Sequence, residues 1–291
     1  MAVFQAACVQ MRSGRTPAAN IEVASELIRQ AASDGAHYVQ TPEMTSVLEL
    51  SRSSLFKVIN QEADDQAVAA FGKLAGELGI WLHIGSLAIR LDETTAANRA
   101  FVFAPDGSIA ARYDKIHMFD VDLPGGESYR ESRTYRSGDR AVVVETPFAR
   151  FGLTICYDVR FAKLYRALAG AGAAVLTIPA AFTEQTGRTH WHVLQRARAI
   201  ENGCFVVSAA QGGLHEDGRR TFGHSLIVSP WGDILAESEG NEPGIIAAEI
   251  DTAQVQIARG RIPSLANERD FAVPEPLVAD RLGPTEQGDA A

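Results

Sequence analysis

Cys156 stands where an alternating apolar segment, Phe151-Gly-Leu-Thr-Ile-Cys156, runs into a helix-like one, Tyr157-Asp-Val-Arg-Phe161. Phe151, Leu153 and Ile155 face one side of the expected strand, and Gly152, Thr154 and Cys156 the other. A thiol at such a strand end sits at the mouth of a sheet. The free N–H groups and positive end of the next helix favour its thiolate. An α/β enzyme can place a nucleophile there. The plain alternative is a small buried cysteine that only fills space.

Three charged residues stand in comparable contexts. Glu43 follows a buried strand in Tyr38-Val-Gln-Thr-Pro-Glu-Met44, and Lys115 ends a strand in Arg112-Tyr-Asp-Lys-Ile-His-Met-Phe119. Glu131 lies in a long loop, in Glu127-Ser-Tyr-Arg-Glu-Ser132. A cysteine nucleophile needs a base, which a carboxylate supplies. The oxyanion of a tetrahedral intermediate needs a cation and backbone donors. A second carboxylate can hold the base and the lysine in place. Taken singly these signals are ordinary: a Glu after a strand is commonly solvated, and a Lys at a strand end is commonly an exposed gatekeeper. Spacing alone does not bring the four together.

The elements that must position them alternate. Val3 to Met11 reads as a strand, and Thr16-Pro17 starts a helix that runs to Asp34-Gly35 on the Ala24, Leu27, Ile28, Ala31 repeat. A short strand at 37–41 stops at Pro42, and a helix covers 64–78. Strands come next at 80–89, 98–104 and 108–115, with Pro105-Asp-Gly107 as a hairpin turn. Residues 120–139, rich in Gly, Ser and charge, read as a long functional loop. Beyond it come strands at 141–145 and 149–155, a helix at 162–171, a buried strand at 173–178 and a helix at 189–202. Strands at 204–210, 222–228, 233–238 and 244–249 complete the pattern, and Asp251 caps a short helix. Such alternation predicts one α/β domain over 1–274, with a flexible tail at 275–291.

Composition narrows the class. The chain is 46% hydrophobic, enough for one large core or two modest ones, and its apolar runs are too short to span a membrane. Its first residues lack the basic stretch of a secretion signal. Net charge is −9, with no basic stripe, so no nucleic-acid partner is expected. Any anionic substrate must be held by local cations. Three cysteines without a CxxC pair fit a reducing cytoplasm, and Cys8 and Cys204 read as packing residues.

Thr-Pro-Glu43, Tyr-Asp-Lys115-Ile-His and Ile-Cys156-Tyr-Asp-Val-Arg-Phe occur in the order of the three catalytic signatures of the nitrilase superfamily of carbon–nitrogen hydrolases, which the chain resembles from Val3 to about Phe271. The resemblance implies a four-layer α-β-β-α sandwich and a homodimer. It makes Glu43 the general base, Lys115 the oxyanion stabiliser and Cys156 the nucleophile, with the Tyr157 backbone N–H as a second oxyanion donor. Glu131 matches the fourth, supporting glutamate, with Glu127 a nearby competitor. Phe119-Asp-Val-Asp-Leu-Pro-Gly125, Thr186-Gly-Arg-Thr-His-Trp-His192, Arg196-Ala-Arg-Ala-Ile-Glu201 and Gly223-His-Ser225 are similar to the Nit branch. That branch holds deaminated-glutathione amidases and ω-amidases. Ala209-Ala-Gln-Gly-Gly-Leu-His215 leans to the first group, whose expected reaction is hydrolysis of a small 2-oxo acid amide through a thioester, releasing ammonia. A carbamoylase or nitrilase is the rival on the same scaffold, and a binding protein that lost the chemistry is the rival of another class.

Two departures stand out. Phe161-Ala-Lys163 replaces the family's Phe-Pro-Glu, removing a proline helix start and reversing a charge. Pro179-Ala-Ala-Phe182 carries Ala where relatives commonly have Ser. Phe182, Thr183 and Arg188 come after a central strand, where α/β proteins bind ligands, and are substrate candidates. Arg160 is a candidate for a substrate carboxylate or, more plainly, an ion-pair partner of Asp158. His190, at an expected helix start over Trp191, is a further pocket candidate by resemblance. His117 reads as structural. His190 and His192 at i and i+2 do not share a helix face, so no metal is expected, and no cofactor either.

Overall fold

The computed structural model describes residues 2–273, so the tail expected at 275–291 lies outside the described residues. The first half runs β1 (Val3–Gln10), α1 (Pro17–Ser33), β2 (Tyr38–Gln40), α2 (Arg52–Leu55), α3 (Gln66–Leu78), β3 (Trp81–Arg90), β4 (Ala96–Phe103) and β5 (Ile109–Asp114). Pro17 opens α1, where its missing N–H has no helical partner to lose. The Asp65 carboxylate accepts the Ala67 and Val68 N–H groups to start α3, which Gly79 ends at φ +65°.

The segment expected as a loop at 120–139 carries a ribbon of β6 (Asp120–Asp122) and β7 (Ser128–Arg130), then a 3-10 turn at Glu131–Arg133. The second half runs β8 (Val142–Glu145), β9 (Arg150–Leu153), a 3-10 turn at Cys156–Arg160, α4 (Ala162–Gly170), β10 (Val175–Thr177), α5 (Glu184–Asn202) and β11 (Phe205–Ser208). A second ribbon, β12 (Gly212–Leu214) with β13 (Arg220–Phe222), precedes β14 (Leu226–Val228), β15 (Ile234–Glu237), β16 (Gly244–Asp251) and α6 (Ala253–Arg261).

Two of these boundaries correct the sequence reading. Helix α5 starts at Glu184, not Thr189, and takes Gly187 into its first turns. Gly187 is tolerated there because Phe222 packs where a Cβ would stand, 2.3 Å away. The strand expected over 222–228 is two strands, parted where Gly223 and His224 take φ +71° and +54°.

The strands form two six-stranded sheets, β16-β1-β2-β3-β4-β5 and β15-β14-β11-β10-β9-β8. Strand alternation sorts β1 between two cores. Ala7 and Val9 pack with Ala24 and Ile28 of α1 and Phe71 of α3. Phe4, Ala6 and Cys8 point the other way, to Phe151, Leu153 and Val206 of the second sheet. Leu164 and Leu168 of α4 and Trp191 and Ala199 of α5 close the far side of that sheet. The result is an α-β-β-α sandwich, with parallel strands at the centre of each sheet and antiparallel ones at the edges. No helix among the described residues is long and apolar enough to cross a membrane.

Candidate active site

Both sheets contribute to one cavity of about 600 Å³, lined by Glu43, Lys115, Glu131, Cys156 and Tyr157, among others. Glu43 is set by the chain that leaves β2. The Ser86 N–H donates to the Pro42 carbonyl and the Ser86 Oγ accepts the Met44 N–H, while Met44 turns at φ +56°. Lys115 leaves the end of β5, and its N–H donates to the Asn98 carbonyl of β4. Glu131 comes from the turn after β7. Cys156 leaves β9 at φ +48°, a strained value for a non-glycine residue, held by its N–H bond to the Pro179 carbonyl at 2.9 Å.

Lys115 is the centre of the cluster. Its Nζ donates to Glu43 Oε1 at 2.9 Å and to Glu131 Oε1 and Oε2 at 3.1 and 2.9 Å. Burial opposes its charge, but the Glu131 and Glu43 charges around it raise its pKa well above the ordinary lysine value. Burial likewise opposes the charge on Glu43. The Lys115 ammonium and hydrogen bonds from Lys115, Cys156 and Asn98 nevertheless hold it below the usual carboxylate range. The second Glu43 oxygen accepts the Ala181 N–H at 2.8 Å. The backbone therefore holds Glu43 at the stretch where Ala replaces the expected Ser. Glu127 stays in solvent with Tyr129, so Glu131 is the carboxylate that reaches Lys115.

The Cys156 thiol corrects an expectation. Burial and the neighbouring Glu43 charge raise its pKa well above the ordinary thiol value, against the pull of Lys115. The chain enters a short 3-10 turn at Cys156, and α4 starts only at Ala162. The resting pair is therefore a thiol beside a carboxylate, with the proton still to be moved. Cys8 and Cys204 are buried and unpaired, away from the cavity lining.

Asp158 also differs from expectation. It makes no ion pair with Arg160. Its carboxylate accepts from the Tyr113 hydroxyl, the Ile155 N–H and the His117 N–H, and lies 2.7 Å from His117 Nδ1. These bonds tie the Cys156 turn to the chain on either side of Lys115. Arg160 instead lies over the rings of Tyr157 and Phe182 and touches His190 Nδ1 at 3.3 Å. Phe182 and Thr183 line the cavity. Arg160, Arg188 and His190 stand outside its lining, because the earlier start of α5 turns Arg188 and His190 outward, with Arg188 paired to Glu184.

Sequence reasoning missed Asn98. Fully buried on β4, it donates from Nδ2 to Glu43 Oε1 at 2.9 Å and to Glu131 Oε1 at 3.0 Å. Both acceptors are carboxylates, so its amide must present nitrogen to them. Its signal was a polar residue in an apolar strand, Ala96-Ala-Asn-Arg-Ala-Phe-Val-Phe103. Among the described residues one group could offer three metal donors: His192, His224 and Glu237, with donor atoms within 4.8 Å of one another. Glu237 Oε1 already bonds both imidazoles, at 2.7 and 2.9 Å, and none of the three lines the cavity.

The family model for carbon-nitrogen hydrolases matches residues 5–259. Deaminated glutathione amidase of Synechocystis is 40% identical over 272 residues, covering 91% of this chain and 98% of that protein. Omega-amidase NIT2 of Homo sapiens is 35% identical over 269 residues, covering 92% and 96%. The crystal structure of the C. elegans NitFhit protein superposes with a TM-score of 0.84 at 34% identity, covering 92% of this chain and 65% of that one.

Proposed function

This chain belongs to the carbon–nitrogen hydrolase family and acts on amides, and from that premise we propose that Cys156 is its nucleophile, Glu43 its general base and deaminated glutathione its substrate. The observation that carries the reading is the bridging of Glu43 and Glu131 by one buried ammonium in the cavity that Cys156 lines. Glu43 takes the Cys156 proton as the thiolate attacks the amide carbon. Lys115 and the Tyr157 N–H hold the oxyanion, and Glu131 with Asn98 holds Lys115 and Glu43 in register. Glu43 returns the proton to the leaving nitrogen, the C–N bond breaks, and a thioester remains on sulfur. Glu43 then deprotonates a water, which attacks the thioester; the C–S bond breaks, Glu43 returns that proton to the Cys156 sulfur, and the acid leaves.

Chemistry amends one expectation. The amide nitrogen of deaminated glutathione carries a dipeptide, so the departing amine is cysteinylglycine. Ammonia leaves only from a primary amide such as 2-oxoglutaramate. A cavity of about 600 Å³ suits the longer amide. The similarity to omega-amidase NIT2 favours the shorter one as a second reading. Comparing kcat/KM on the two amides decides: a preference for 2-oxoglutaramate overturns the first choice. A Cys156→Ala protein that still turns over either amide ends the mechanism.

A homodimer in a reducing cytoplasm belongs to the same proposal. Val193 and Ile200 on the outer face of α5 and Trp231 beyond β14 are exposed apolar side chains that a second copy would cover. Three unpaired cysteines support the compartment.

A further inference from the structure

Four arginines, Arg52, Arg130, Arg133 and Arg219, line the cavity, and they are not equivalent. Arg130 grips both oxygens of Asp122 at 2.8 and 2.9 Å. Arg52 donates to the Thr94 carbonyl and lies over the Phe56 ring. Glu49, the acid on the wall outside the catalytic cluster, is neutralised by Arg15 at 3.0 Å.

Arg219, between β12 and β13, is placed differently. Its side chain is 17% exposed, and its link to a carboxylate is a single long one, Nη2 to Asp217 Oδ2 at 3.3 Å. Asp217 is itself fully shielded and its other oxygen accepts the Arg219 backbone N–H at 2.9 Å, so it fixes the base of the guanidinium. The Arg219 Nε is buried and has no hydrogen-bond partner. A buried donor without an acceptor costs free energy that a ligand oxygen can recover. The guanidinium is close enough for its charge to act on the phenols of Tyr129 and Tyr135, which also line the cavity. Tyr135 in turn feels the charges of Glu131, Glu43 and Lys115.

We propose that Arg219, oriented by Asp217 and walled by Tyr129 and Tyr135, is a carboxylate-binding subsite that makes this enzyme selective for amides bearing an anionic carboxylate. A guanidinium can present two parallel N–H bonds to the two oxygens of a carboxylate, and the unpartnered Nε of Arg219 supplies one of them. Arg133, in the same turn as Glu131 and with no carboxylate partner among the described residues, adds positive charge to the cavity wall. Arg160, one candidate for a substrate carboxylate from its sequence position, stands outside the lining and lies over the rings of Tyr157 and Phe182.

This inference rests on the amidase reading but is tested apart from it. Two substrate pairs differ at one carboxylate: glutaramate against its neutral methyl ester on the acyl side, and deaminated glutathione against its glycine amide on the leaving side. Arg219→Met should narrow the kcat/KM ratio of at least one pair about 10- to 100-fold, through KM and not kcat. Arg219→Lys should recover part of it, since a point charge replaces the fork. In parallel, glutarate binding to Cys156→Ala protein, measured by calorimetry, should weaken at least tenfold when Arg219→Met is added. Loss of glutarate binding in a protein that hydrolyses neither pair would keep the subsite and sink the amidase reading. Unchanged ratios in both pairs, or equal glutarate affinity with and without Arg219, overturn the subsite. Should Arg219→Met not fold, Arg219→Lys and Arg219→Gln carry the same comparisons.

Discussion

Lys115 sets the protonation of the groups around it, because two carboxylates and a thiol share one buried ammonium. Replacing it with Met removes the proposed oxyanion donor and leaves Glu43 and Glu131 facing each other without a cation. Turnover should fall about 100- to 1,000-fold, measured as kcat on the preferred amide. Asn98→Leu removes bonds to both carboxylates and should lower stability by about 2–4 kcal/mol, read from urea unfolding. The titration signs are opposite for the pair. Glu43 is depressed below its ordinary 4.5, so its contribution to stability is present above pH 4.5 and is lost as pH falls through its folded value. Lys115 is raised above its ordinary 10.5, so its contribution is present below pH 10.5 and is lost as pH rises through its folded value. A urea midpoint tracked against pH should therefore fall outside this window in the unaltered protein, whereas in Lys115→Met the acid-side trend should reverse, because two buried carboxylates without a cation are stabilised by protonation. On the proposed mechanism the Cys156 proton leaves through Glu43 at neutral pH. Iodoacetamide should then label Cys156, spare the fully buried Cys8 and Cys204, and label a Glu43→Gln protein about 100-fold more slowly. Equal labelling rates in the two proteins would remove Glu43 as the base.

At the scale of elements, the site depends on a close approach between β3 and the chain that carries Glu43. The pairing of β3 with β4 shifts register between Ile84 and Leu87. Gly85 lies in that irregularity, where a Cβ would come within 2.2 Å of the Thr41 carbonyl oxygen and 2.4 Å of Pro179 Cβ. Thr41 precedes Pro42-Glu43, and the Pro179 carbonyl holds Cys156. A methyl group at this point would therefore push on the segments that carry Glu43 and Cys156 at once. Gly85→Ala should cost about 1–3 kcal/mol of stability by overpacking and depress kcat more than KM. A melting curve and a full kinetic profile check both. An alanine variant with unaltered kcat would show that the two loops are not coupled through Gly85.

The whole molecule brings the site together across a sheet-to-sheet interface. Glu43, Asn98 and Lys115 come from the first sheet and its loops, and Cys156 from the second. Neither sheet alone holds the proposed base, cation and nucleophile. Heat should therefore abolish amide hydrolysis in the same transition that melts the sheets, and activity lost well before secondary structure would show that the layers separate first. The proposed dimer is tested by sedimentation. The unaltered chain should sediment at twice the chain mass, and Val193→Asp on the outer face of α5 should shift it towards the monomer.

Much of this was legible in the chain order. Alternating apolar positions at Val3–Met11 and Phe151–Ile155, helix starts at Thr16-Pro17, and stops at Gly79 and Gly203 are local rules, so strand and helix order came from neighbours in sequence. The types and contexts of Glu43, Lys115, Glu131 and Cys156 were likewise readable, since each chemical role requires its own side chain. The bridging by Asn98, the outward turn of Arg188 and His190, and the unpartnered Nε of Arg219 were not. Each depends on which oxygens and nitrogens face one another across segments remote in the chain, and on burial that reverses a pKa expectation, as at Cys156. Hydrogen bonding and desolvation are set by three-dimensional neighbours, and those appear only once the two sheets have packed.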